Sequence, residues 1–193
     1  MRVIGGKLKG RKIKTCRGTL LRPTSQKIRE AIFDIISPFL TGGLVLDLFA
    51  GTGSLGIEAL SRGMGRAVFV ENNPRIISVL KENIISCQLE NRAEVIIFPV
   101  TKGLKILRSR KEKFDLIFLD PPYLSNLVGK TILEINKANI LLKDSLVIVE
   151  HSSKEDIKSS YGNLIRFDQR QYGQTLVSFF ILDSISLERS CLP

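Results

Sequence analysis

Apolar and polar positions change rhythm several times along this chain. Val3, Ile4, Leu8 and Ile13 are interleaved with polar residues around Gly5-Gly6 and Gly10, which predicts a small β-hairpin. Ile28, Ala31, Ile32, Ile35 and Ile36 then fall at helical spacing, with Thr24 and Ser25 as N-cap candidates and Arg22-Pro23 as an extended link before them. Pro38 and Gly42-Gly43 close this helix.

After Gly43, short apolar runs alternate with helical stripes. Leu44-Val45-Leu46 reads as a buried parallel strand. It leads through Asp47 and Phe49 to Gly51-Thr52-Gly53, and Leu55, Ile57, Ala59 and Leu60 then mark a helix. Further strands are predicted at 67–70, 95–98, 114–119 and 146–149. Between them lie helices beginning at Pro74, with Ile76, Leu80, Ile84 and Cys87 on one face, and spanning 101–108 and 125–138. Residues 164–171 and 175–182 read as a hairpin turning at Gly173. No repeat of solenoid period is present.

This alternation predicts an α/β fold: a doubly wound, mostly parallel seven-stranded sheet with an antiparallel C-terminal hairpin and a small N-terminal hairpin extension. The domain reading is a basic extension over 1–23, one catalytic domain over 24–183 and a tail over 184–193. Ligands of such sheets bind at the carboxyl ends of the strands. There the sequence places Asp47 to Gly53, Glu71, and Asp120 to Tyr123.

Composition narrows the class. The apolar content, 44% of 193 residues, excludes a disordered chain. The apolar runs are too short to cross a membrane. Residues 1–10 lack the apolar stretch of a secretory signal, so a cytoplasmic protein is expected. Cys16, Cys87 and Cys191 show neither disulfide nor zinc spacing, and no metal is expected. The net charge of +10 is concentrated at one end: residues 1–30 hold ten Lys and Arg against Glu30 alone. Such a segment fits a polyanion. Its glycines and lack of an apolar face argue against a membrane-surface helix.

Gly51-Thr-Gly53-Ser-Leu-Gly56 fits a G-x-G-x-x-G turn after a strand, and Glu71 follows at the end of the next strand. A nicotinamide enzyme and a nucleoside-binding methyltransferase both use this arrangement. The acid at Asp47 separates them, because a pyrophosphate does not want a carboxylate beside it, whereas a sulfonium cofactor with an α-ammonium group does. An oxidoreductase would also need a substrate domain with an acid–base residue. The lone His151 reads better as a surface or strand-end residue than as that group.

Asp120-Pro121-Pro122-Tyr123 carries the most chemistry. Two prolines stiffen the backbone and remove two N–H donors. The Asp120 carboxylate and the Pro121 carbonyl remain as acceptors for an exocyclic amine, steadying charge that develops on its nitrogen. Tyr123 supplies a ring on which an extruded base stacks.

With both motifs in place, the chain resembles class I S-adenosylmethionine-dependent methyltransferases of the amino-methylating kind. Arg2-Val-Ile-Gly-Gly6, Gly10-Arg-Lys-Ile13, Arg22-Pro-Thr24, Lys27-Ile-Arg-Glu-Ala-Ile-Phe33, Leu46-Asp-Leu-Phe-Ala-Gly-Thr-Gly53, Gly56-Ile-Glu-Ala-Leu-Ser-Arg-Gly63, Phe69-Val-Glu71 and Tyr172-Gly173 together resemble the RsmD-type 16S rRNA guanine-N2 methyltransferases, over roughly residues 1–182. The resemblance implies methyl transfer from S-adenosyl-L-methionine to the N2 amine of a guanine in 16S rRNA, by a monomer acting on rRNA or an assembling small subunit. It implies cofactor contacts from Asp47, Phe49, Gly51, Thr52, Gly53, Glu71, Asn72 and Val100. It implies target-amine binding and base stacking by Asp120, Pro121, Pro122 and Tyr123, and RNA contacts from Arg11, Lys12, Arg22, Thr24 and Lys27. Members commonly carry Asp or Asn just after the third strand. Here Phe98-Pro99-Val100-Thr101 stands there, which leaves adenine to backbone atoms or Thr101. A DNA adenine-N6 methyltransferase shares the Asp-Pro-Pro-Tyr loop but normally carries a target-recognition domain. A non-catalytic RNA-binding assembly factor would need only the basic hairpin.

Overall fold

The computed structural model describes residues 1–16, 25–122 and 127–183. They divide into two compact units, Met1–Val100 and Thr101–Pro193.

In the first unit three parallel strands, β1 (Leu44–Leu48), β2 (Arg66–Val70) and β3 (Ala93–Ile96), lie in the order β3-β2-β1. Val45, Leu46 and Leu48 of β1 and Ala67 to Val70 of β2 are buried, so neighbouring positions on both faces are covered. Helix α1 (Gln26–Ile35) starts where Ser25 caps it, the hydroxyl accepting from the Ile28 N–H at 3.2 Å. The other N-cap candidate, Thr24, lies outside the described residues, as do Arg22 and the tail from residue 184. Helix α2 (Ser54–Arg62) leaves β1 through the glycine turn. Helix α3 (Pro74–Ser86) begins with proline at its first position, behind an Asn73 side chain that accepts from the Arg75 N–H.

The first residues form the expected hairpin as a short antiparallel pairing: Met1 and Ile13 exchange hydrogen bonds, the Val3 N–H donates to the Arg11 carbonyl, a bridge joins Arg2 and Lys12, and a 3₁₀ turn (Gly6–Leu8) lies in the connection. Past Val3 the pairing stops, because the Ile4 and Gly5 N–H groups donate to the Glu58 carboxylate on α2, at 2.8 Å each. Gly6 sits at φ +72°, and a Cβ there would lie 1.9 Å from the Ser61 carbonyl oxygen. Val3 and Ile13 are buried, as their pattern suggested.

The second unit contains β4 (Phe114–Leu119), α5 (Leu127–Ala138), β5 (Leu141–Ser152), β6 (Ser160–Tyr161), β7 (Leu164–Tyr172) and β8 (Thr175–Leu182). Their order is β4-β5-β8-β7-β6, with β4 and β5 parallel and the remaining pairs antiparallel. Gly173 turns the last hairpin at φ +63°.

Several bounds shift by a residue or two, and three of the differences bear on pairing or on the site. The third strand runs over Ala93–Ile96 rather than 95–98, because Ala67 to Val70 of β2 pair with Ala93 to Ile96 and Ile97 and Phe98 are left exposed. Helix α4 begins one residue early, at Val100 (Val100–Ser109). Strand β5 is twelve residues long where four were expected. Its polar residues Glu150, His151 and Ser152 stay in the sheet because they pair with Val177, Leu176 and Thr175 of β8. Among the described residues the strands number eight, because of the two-residue β6, too short to leave an apolar pattern.

Candidate functional site

Strand β1 carries Asp47 one residue before its end, and burial and an adjoining turn define its chemistry. The side chain is buried, and its Oδ2 accepts the Gly56 N–H at 2.9 Å. Burial pushes the carboxyl up to about 8; the Gly56 hydrogen bond opposes this, and the Glu71 carboxylate adds to it. Gly56 must be glycine here, since a Cβ would lie 2.3 Å from Phe69 Cε1 and 3.2 Å from Asp47 Oδ2.

Between Asp47 and α2 the backbone makes a left-handed series: Phe49 at φ 59°, Gly51 at φ 55° and Gly53 at φ 83°. For Phe49 this conformation costs about 1–2 kcal/mol relative to the right-handed region. The turn is closed by the Gly53 N–H on the Ala50 carbonyl at 2.8 Å, and the Ala50 N–H donates to the Val70 carbonyl at 3.0 Å.

Glu71, just past β2, accepts three backbone N–H groups: Gly51 on Oε2 at 3.0 Å, and Asn72 and Asn73 on Oε1 at 2.8 and 2.9 Å. It therefore pins the glycine turn to the end of β2. A carboxylate has roughly four acceptor positions, so capacity for a hydroxyl donor remains.

This donor set tests which cofactor fits. Two carboxylates, one of them desolvated enough to disfavour its own ionisation, favour a cationic group and oppose a pyrophosphate. The sulfonium and α-ammonium charges of S-adenosylmethionine fit; a dinucleotide does not. Asp47, Phe49, Gly51, Thr52, Gly53, Glu71 and Asn72 all belong to the first unit, around this turn. Val100 is the first residue of α4, and Thr101 beside it is exposed. The sequence pattern missed Ile97 and Phe98, which stand just past the carboxyl end of β3 with 47% and 38% of their surface exposed. Apolar side chains left open at a strand's carboxyl end are the signal that could have found them.

In the second unit, Asp120 and Pro121 follow β4 directly, with Asp120 half-buried, Pro121 buried and Pro122 exposed. Tyr123 lies outside the described residues. His151 is not at the surface. It is fully buried within β5, its Nδ1 facing the Ser152 carbonyl at 3.1 Å and its Nε2 facing Ser178 Oγ at 3.0 Å, and burial lowers its pKa. It is a satisfied core histidine. Among the described residues no His, Cys, Asp and Glu cluster is arranged to hold a metal, and no helix is long and apolar enough to cross a membrane.

The basic segment is anchored on both helices beside the glycine turn. Glu58 is fully buried on α2; besides the two N–H groups it pairs with Arg62 Nε at 2.8 Å and Arg29 Nη1 at 3.9 Å. Arg29 on α1 is itself fully buried and donates to the Arg2 carbonyl at 3.1 Å. Ser61 accepts the Leu8 N–H and donates to the Gly5 carbonyl. On the α3 side, the Arg11 guanidinium donates to the Ser86 carbonyl, and Lys14 Nζ pairs with Glu82 at 2.8 Å. Lys7, Lys9, Lys12 and Lys27 remain exposed.

The family model described as "Conserved hypothetical protein 95" matches residues 1–181. The chain belongs to this family. It is 37% identical over 180 residues to "Putative rRNA methyltransferase YlbH" of Bacillus subtilis, covering 93% of this chain and 98% of that protein. It is 37% identical over 155 residues to "Ribosomal RNA small subunit methyltransferase D" of Buchnera aphidicola, covering 80% of each. A solved structure named "Putative methyltransferase yhhF from Escherichia coli" superposes with a TM-score of 0.83 at 28% identity, covering 95% of this chain and 98% of that one. That likeness gives the family member its fold, the mixed α/β architecture read from the alternation of strands and helices.

Proposed function

We propose that this chain transfers a methyl group from S-adenosylmethionine to the exocyclic N2 amine of a guanine in 16S rRNA, acting in the cytoplasm on free rRNA or on an assembling small subunit. The observation that carries the reading is the buried Asp47 carboxylate, held by Gly56 beside Glu71, a setting that takes a cation. The family's rRNA methyltransferases of the small subunit support the substrate class.

When bound, S-adenosylmethionine supplies a methyl group already activated on a sulfonium. Asp47 and the 51–53 turn would hold its methionine end, Glu71 and Asn72 its ribose, and Phe49, Ile97, Phe98 and Val100 apolar surface for the base. With Pro99 in place of the usual acid or amide, adenine selectivity falls to backbone groups and shape. Asp120 and Pro121 would accept the two N–H bonds of the target amine and fix its orientation, with Pro122 stiffening the loop, so positioning supplies much of the rate. Tyr123 would stack the extruded base. Arg11, Lys12, Arg22, Thr24 and Lys27 would meet phosphates, which position RNA without specifying sequence.

The test is labelled methyl transfer into protein-free 16S rRNA, small-subunit particles and DNA, followed by nucleoside analysis. N2-methylguanosine from rRNA or particles is expected. N6-methyladenine in DNA would overturn the assignment.

A further inference from the structure

Buried on α3, the Asn83 side chain touches two segments far apart in sequence. Its Oδ1 accepts the Lys14 N–H at 2.8 Å, and its Nδ2 donates to the Lys14 carbonyl at 3.0 Å and to the Thr52 carbonyl at 2.9 Å. Lys14 lies in the basic segment, just past the Arg2–Lys12 bridge. Thr52 is the middle residue of the Gly51-Thr52-Gly53 turn. One amide with no exposed surface thus spends both hydrogens and its oxygen on joining them.

We propose that Asn83 is a positioning residue that couples the cofactor turn to the RNA-binding segment, so that occupancy of the turn raises affinity for rRNA and rRNA raises affinity for the cofactor. This rests on the reading that the basic segment meets RNA.

The physical argument has three parts. First, the backbone groups involved are not held by secondary structure. Lys14 belongs to no strand, and Thr52 lies between β1 and α2. Each depends on Asn83 for hydrogen bonds that α3 supplies from its second half. Second, the geometry demands an amide. An aspartate keeps the acceptor for the Lys14 N–H but loses both donors and points charge at two carbonyls; a leucine leaves three backbone groups unpaired. Third, neighbouring contacts hold the same stretch on α3 without reaching the turn: Arg11 on the Ser86 carbonyl and Lys14 Nζ on Glu82. They retain the segment on the helix, and Asn83 alone among these α3 contacts also reports the state of the turn. Any shift of the Thr52 carbonyl on ligand binding is felt at Lys14, and linkage requires the reverse effect to be equal.

The experiment measures coupling, which a merely structural role would not produce. Affinity of the full chain for protein-free 16S rRNA is determined with and without saturating S-adenosylhomocysteine, and affinity for S-adenosylhomocysteine with and without rRNA. In the unaltered protein both ratios should agree, at about fivefold or more. In Asn83→Asp and Asn83→Leu they should fall to about one, while each ligand still binds alone. Hydrogen exchange in the unaltered protein, which needs no variant to fold, is the second arm: the Lys14 amide should exchange more slowly once S-adenosylhomocysteine is bound. A ratio of one in the unaltered protein, a ratio that survives in Asn83→Asp, or a Lys14 amide indifferent to the cofactor would each overturn the proposal. If RNA meets the chain elsewhere, Lys7→Gln, Lys9→Gln and Lys12→Gln together leave RNA affinity unchanged while the Lys14 exchange effect persists. That pattern sinks the RNA reading and is distinct from failure of the Asn83 coupling.

Discussion

The Gly56 N–H and Asp47 Oδ2 are 2.9 Å apart, so the first turn of α2 leans on the carboxylate near the end of β1. One hydrogen bond does not offset the loss of water around a buried charge. Without a cation beside it Asp47 therefore keeps its proton up to about pH 8, and this has measurable consequences.

The first concerns pH. Folded Asp47 titrates at about 8 against an ordinary value of 3.8. Between these values the folded chain holds a proton that the unfolded chain releases. The group's stabilising contribution is complete below about pH 4 and is lost as pH rises towards 8. Asp47→Asn removes this dependence. In thermal scans the ligand-free variant should gain on the parent as pH rises from about 5 to about 8, by up to a few kcal/mol. Calorimetry should show its cofactor affinity lost. In the parent, binding near pH 7 should release about one proton, seen as a dependence of the heat on buffer ionisation enthalpy.

Gly56→Ala tests packing at the same place. The added methyl meets Phe69 Cε1 at 2.3 Å, and a ring buried in β2 cannot move freely. A loss of about 1–3 kcal/mol in denaturant unfolding is expected, with weaker S-adenosylhomocysteine binding because Asp47 loses its place.

Glu58→Ala tests the anchor of the basic segment. It leaves Arg29 buried without its counter-charge and frees the Ile4 and Gly5 N–H groups. The expected cost is about 3–5 kcal/mol. Trypsin should cut first at Lys7, Lys9 or Arg11, before the rest of the first unit is digested.

Replacing exposed lysines tests the RNA face without disturbing that anchor. Deleting the whole segment would uncover Glu58 and Ser61. Lys7→Gln, Lys9→Gln and Lys12→Gln together should instead lower rRNA affinity and reduce the slope of log K against log salt by about 2. Cofactor affinity should be retained, since none of these exposed lysines belongs to the glycine turn.

Asp120→Ala tests the amine site. Methyl transfer should fall by at least about a hundredfold, the scale of losing one oriented acceptor, with S-adenosylhomocysteine binding retained. Near-normal turnover on rRNA would remove Asp120 from the reaction.

Much of the first unit was legible because its signals are local. Ser25 sits one residue before α1, Pro74 opens α3, and the apolar run at Leu44 to Leu46 reads as a buried strand because a glycine turn follows it. The expected bounds of β8 also hold, because alternation and Gly173 mark them. The start of β3 and the length of β5 were not legible. Pairing partners set them, and a polar stretch such as Glu150 to Ser152 joins a strand only when β8 lies alongside.

The site divides in the same way. By itself the sequence determined the candidate chemistry: the acid before Gly51, the acid after β2, the Asp-Pro-Pro loop and the concentration of charge in residues 1–30. Those depend on residue type and short spacing. Only the tertiary structure decided what holds the basic segment. Glu58 and Asn83 lie 53 and 69 residues from Gly5 and Lys14, the backbones they bind. Nothing in local pattern distinguishes a buried Glu or Asn on a helix from a solvated one. Their roles come from backbone groups that lack partners of their own and find them across the fold.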